Sequence, residues 1–73
     1  MIYIKEICHS KEEAQALVEA LRENFGTNSD ISRSDAADVW FVYPQVLSDS
    51  SEFTNAVQRF CEGYLYRYRE GTA

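Results

Sequence analysis

The 73-residue chain is 45% hydrophobic and 14% aromatic, and its 7 basic and 12 acidic residues give a net charge of −5. That supports one small globular domain over residues 1–73, near the lower size at which a single core holds alone, and leaves no room for a second. The acidic balance disfavours nucleic acid, whose phosphates call for a basic surface, and no stretch approaches the roughly 18 apolar residues of a membrane span.

The start, MIYIKEI, has neither the basic nor the long apolar region of a secretory leader. Cys8 and Cys61 lack the spacing of a disulfide framework. The chain therefore reads as an unprocessed, soluble, cytoplasmic protein with two reduced thiols.

Residues 2–7, IYIKEI, have the β-branched and aromatic content of a well-buried strand, with Ile2 and Ile4 on one side and Tyr3, Lys5 and Ile7 on the other. Ser10-Lys11-Glu12-Glu13 then has the form of a capping box, in which the serine oxygen accepts from the Glu13 amide and the Glu13 carboxylate reaches back to the Ser10 amide. The helix it opens carries a narrow apolar stripe of Ala14, Leu17, Val18, Leu21 and Phe25 and ends at Gly26 in a left-handed cap. Glu12, Glu19 and Glu23 share its outer face. Glu19 and Glu23 are like charges one turn apart, which costs a little stability.

From Thr27 to Asp38 the chain is polar, with Ile31 as the one anchor for a short edge strand. Between Asp30 and Glu52 the acids Asp30, Asp35, Asp38, Asp49 and Glu52 are opposed by Arg33 alone. Residues 39–44, VWFVYP, are apolar on both faces and suit a central strand covered by helices, ended by Pro44. Ser48 and Asp49 are alternative N-caps for a second helix with Phe53, Ala56, Val57, Phe60 and Cys61 on one face.

The segment after Gly63, YLYRYR, can be read two ways. If the helix continues, Tyr64, Leu65 and Tyr68 join its stripe, and Tyr66 is left outside with Arg59, Arg67 and Arg69. If Gly63 is a cap, a final strand lines Tyr64, Tyr66 and Tyr68 along one face. Eight apolar positions without a missed turn favour the helix, against a glycine cost of about 1 kcal/mol.

The order β, α, a short β, β, α implies an α/β two-layer sandwich with both helices on one face of a small sheet. A C-terminal strand would make it ferredoxin-like, with the two most apolar strands central and adjacent. The topology serves many functions, and no family's motif residues can be matched along the chain.

Catalytic chemistry finds little footing. Cys8 and His9 are adjacent, so on a strand their side chains point apart rather than meeting as nucleophile and base. Cys8, His9 and Cys61 lack the paired spacing of a zinc site, and Asp30, Asp35 and Asp38 lack that of a calcium loop. The glycines are isolated and form no phosphate loop. The expectation is a non-enzymatic protein with no cofactor and no metal.

Surface recognition remains. Tyr3, Trp40, Tyr43, Tyr64, Tyr66 and Tyr68 are more large amphipathic rings than so small a core requires, and tyrosine, tryptophan and arginine dominate interface energetics. The leading expectation is a protein-binding domain whose acidic face, Glu12, Glu19, Glu23, Asp30, Asp35 and Asp38, meets a protein with a basic surface, with Tyr66, Arg67 and Arg69 as further contacts. In length, acidity and lack of catalytic chemistry the chain looks like the small acidic inhibitors that phages and mobile elements use against host defence, including anti-CRISPR proteins and DNA mimics.

The first alternative is a homodimer or larger homo-oligomer joined through the open sheet face, with Tyr3, Trp40 and Val42 in the contact. The second is a single-stranded nucleic-acid binder that stacks bases on that face, for which the charge is wrong except at Arg67 and Arg69.

Overall fold

The computed structural model describes residues 4–35, 38–45 and 51–71. In chain order it has β1 (Glu6–Cys8), α1 (Lys11–Phe25), β2 (Ser29–Arg33), β3 (Trp40–Pro44) and α2 (Ser51–Glu70). The strands form one antiparallel sheet in the order β1-β3-β2, so β3 is central and pairs with both neighbours. The expected α/β sandwich is observed: a three-stranded antiparallel sheet and two helices in one compact unit.

Register decides what each face carries. Val42 stands between Glu6 and Ile31, and Trp40 between Cys8 and Arg33, so these residues share a face. Val42 and Cys8 are fully buried with Ile4 from before β1, Leu17 and Leu21 from α1, and Val57, Cys61 and Leu65 from α2. That face is therefore the one beneath the helices. Trp40 packs at its margin, with the Arg33 guanidinium 5.7 Å from its ring centroid.

This corrects the expectation that Trp40 and Val42 line the open face. An apolar run gives no parity, and pairing with β1 and β2 turns the small Val42 inward and leaves Phe41 and Tyr43 outside. Tyr3 lies outside the described residues. The IYIKEI strand is also shorter and less buried than expected: β1 covers three residues on a sheet edge, and Ile7 is 47% exposed. It pairs with β3, and no fourth strand flanks it among the described residues, so the ferredoxin-like arrangement with both apolar strands central is not formed there.

Ser10 caps α1 as its motif implies, its hydroxyl accepting from the Glu13 amide at 3.1 Å. The reciprocal bond differs: the Glu13 carboxylate takes the amide of His9, not of Ser10, at 3.2 Å. Gly26 ends the helix at φ 67°, where only glycine sits without strain, and donates to the Arg22 carbonyl at 2.9 Å. Ile31 anchors a real edge strand, and the preceding Thr27 is fully buried, its hydroxyl donating to the carbonyl of Gln45 beyond β3.

α2 runs unbroken through Gly63 to Glu70, so YLYRYR is helix and the C-terminal-strand alternative is set aside. Its buried stripe is Thr54, Val57, Cys61 and Leu65, with Phe53, Phe60 and Tyr64 partly covered. Ala56, expected on that stripe, is exposed, because the stripe centres on Cys61 and passes through Thr54 instead. The N-cap alternatives Ser48 and Asp49 lie outside the described residues.

The helices run antiparallel. The Arg69 guanidinium meets the Glu13 carboxylate at 3.0 Å at one end, and Phe25 lies edge-on to Phe53 and Phe60 at the other. Gly63 has no positive φ, and a Cβ there would meet only the far end of the Arg67 side chain, at 3.4 Å. Gly63→Ala is therefore expected to stabilise the fold by about 0.5–1 kcal/mol, chiefly by restricting the unfolded chain, as read from urea denaturation.

Candidate functional site

The six acids of the expected face divide between regions. Glu12, Glu19 and Glu23 are all exposed and, at spacings of seven and four, fall on one side of α1. Asp30 pairs across from Tyr43 and so belongs to the sheet face turned away from α1. Asp35 and Asp38 are exposed in the connection between β2 and β3. The fold thus gathers the three glutamates and leaves the aspartates on other surfaces.

Some of these charges are already partnered. Glu19 bonds to Arg22 one turn on, and Asp38 lies 3.5 Å from Arg33, both on the surface, where such pairs add little stability. Among the described residues no ion pair is formed by Glu12 or Glu23.

Along α2 runs an aromatic ladder that the spacing of the helix builds. Phe60, Tyr64 and Tyr68 recur every four residues, and their rings stack at 6.0 and 6.2 Å with interplanar angles of 25° and 28°. Phe25 of α1 closes one end, 5.3 Å from Phe60 and nearly perpendicular to it. Burial, then Tyr68, then the negative charge of Glu23 raise the Tyr64 phenol above its ordinary range. Sequence periodicity placed these rings on the stripe. Their stacking came from the unbroken helix.

Tyr66, Arg67 and Arg69 were expected together off the buried face. Tyr66 is there, 68% exposed. Arg67 runs back along the helix over Gly63. Arg69 is not a free surface cation: it donates to the Ile7 carbonyl at 2.9 Å and to Glu13, whose side chain is 5% exposed. Its reach across the fold makes it a tie between α2, β1 and the start of α1.

A groove lies beside that tie, lined by Lys5, Glu6, Ile7, Glu62, Leu65, Tyr66 and Arg69. Burial and the nearby Glu62 raise the Glu6 carboxyl above the ordinary carboxylate range, and Arg69 partly offsets them. Neither Glu6 nor Glu62 stands out in sequence, because their approach depends on how β1 lies against α2.

Burial pushes the Cys8 thiol up to about 11 and the Cys61 thiol up to about 12, with nearby acids adding to both. Both are free and share the core cluster, so near neutral pH each is a packed thiol rather than a thiolate nucleophile. His9 is exposed, whereas Cys8 is buried. Among the described residues no group of three acids, histidines or cysteines is placed to hold a metal, and no helix is long and apolar enough to cross a membrane.

Comparison with protein-family models, curated proteins and solved structures finds no match for this chain.

Two outcomes follow from these environments. A carboxyl raised in the folded state favours folding while protonated, and that contribution is lost as pH rises through its folded value. Glu6→Gln is thus expected to raise the melting temperature at pH 7, with the gain disappearing below the ordinary carboxylate range. In the second, iodoacetamide at pH 8 labels neither cysteine in the native protein and both once it is unfolded, as counted by mass spectrometry; rapid native labelling at Cys8 contradicts its burial.

Proposed function

We propose that the protein is a non-enzymatic binding domain that presents the helix layer to a partner protein with a basic surface. The observation that carries the reading is the row Glu12, Glu19 and Glu23, all exposed on one side of α1, together with the stacked rings of Tyr64 and Tyr68 on α2. Carboxylates steer and orient a basic partner, while tyrosine rings supply contact area at low entropic cost and accept lysine or arginine stems against their faces. Both groups sit on helices held by the core, so little ordering is needed on binding.

Length and net charge suit an inhibitor of the phage or mobile-element type, which acts by covering a basic host surface. The glutamate row is the part of the chain that would imitate phosphates. Asp35 and Asp38 would extend the contact only for a partner that wraps around the end of the sheet.

The test is capture from the native host at physiological salt, run in parallel with the triple variant Glu12→Lys/Glu19→Lys/Glu23→Lys. A partner held by the wild type and weakened at least about tenfold by the variant, mainly through slower association, supports the reading. Equal binding by both proteins, or no partner for either, counts against it. Tyr66→Ala separates the edges of the surface: with the ring 68% exposed, the melting temperature is expected to stay nearly unchanged, and binding falls only if the contact extends past the ladder.

A further inference from the structure

The sheet face turned away from the helices has an arrangement that the acidic row does not account for. Two rows of side chains cross it. In one, Ile7, Phe41 and Ser32 stand side by side, and in the other Tyr43 stands beside Asp30. Lys5 completes the second row on the β1 side, since it precedes Glu6, the partner of Val42, and its Nζ lies 4.6 Å from the Phe41 ring centroid. The Phe41 and Tyr43 rings are 6.4 Å apart at the centre. The face thus has an aromatic middle, a cation at one margin, and an anion at the other margin level with it.

We propose that this face is a homodimer interface, in which two copies pack sheet to sheet about a two-fold axis running along β3. Such an axis sets β1 of one copy over β2 of the other and keeps each residue's level along the strand. Lys5 of each copy then stands over Asp30 of the other, and Phe41 and Tyr43 pack against their own counterparts. Face-to-face sheets lie about 10 Å apart with strands within about 30°, a gap that these side chains span.

An axis across the strands would set β1 over β1 and leave Lys5 and Asp30 without opposite charges, so the charge pattern selects the first arrangement. Pairing through the strand edges is less favoured, because Arg69 already occupies the Ile7 carbonyl on β1 and β2 carries the charges of Asp30 and Arg33. The longest strands here have five residues, so the contact is smaller than a standard interface and the dimer forms in the micromolar range.

Sedimentation equilibrium of the whole chain from about 10 µM to about 1 mM covers that range. The wild type is expected to pass from monomer to dimer. Lys5→Asp and Asp30→Lys, each at an exposed position, are expected to weaken self-association at least about tenfold, because each sets like charges at both contacts. Mixing the two variants is expected to restore a one-to-one dimer, since opposite charges then meet at both contacts, and a variant that misfolds would fail this rescue while showing altered circular dichroism. A wild type that stays monomeric throughout, single variants that dimerise as tightly as the wild type, or folded variants that do not associate when mixed would each overturn the proposal.

Discussion

The Glu13 carboxylate sits where three elements meet, and the mutual position of the layers depends on it. An acid in the first turn of a helix is favoured by the helix dipole, but one this buried needs partners to offset its lost hydration. It has two: the backbone amide of His9 at the exit of β1 and the guanidinium of Arg69 near the end of α2. Arg69 then continues to the Ile7 carbonyl. Only an unbroken α2 of 20 residues, about 30 Å long, brings that arginine back to the sheet, so the helix through Gly63 is a condition for the tie. With Phe25 set between Phe53 and Phe60 at the opposite end, the two helices are fixed at both ends.

The central strand apportions the remaining chemistry. Val42 closes the core, and its neighbours Phe41 and Tyr43 are turned to the other face by the two-residue period of the strand. A two-layer sandwich covers one face of its sheet and leaves the other in water, so the aromatic content exceeds what the core consumes. The surplus appears in two places of different character: a stacked ladder along α2 on the helix layer, and a mixed-charge aromatic patch on the sheet.

These surfaces point in opposite directions, so use of one leaves the other free. A dimer joined through the sheets would hold two glutamate rows facing outward, and a partner with repeated basic sites would gain from binding both at once. The buried thiols at the centre take no part in either surface. Their raised ionisation is a consequence of packing, since a thiolate in so apolar a place would lose its hydration without a compensating partner.

The sequence by itself determined the serine cap and glycine stop of α1 and the α/β order, favoured without settling a helix through Gly63, and offered Ile31 as the one anchor of a short edge strand. Each of these is a local signal, written in spacing and backbone preference within a few turns. It also determined that Glu12, Glu19 and Glu23 share a helix side, because helical period alone fixes that. What only the tertiary structure decided is which elements face which. Strand pairing chose the inward parity that buries Val42 and puts Phe41 and Tyr43 outside, separated Asp30 from the glutamates, and set Lys5 and Asp30 at the same level across the sheet. Helix packing drew Arg69 onto Glu13 and Glu6 toward Glu62. These are contacts between residues distant in sequence, set by register and layer packing, and no period in the chain encodes them.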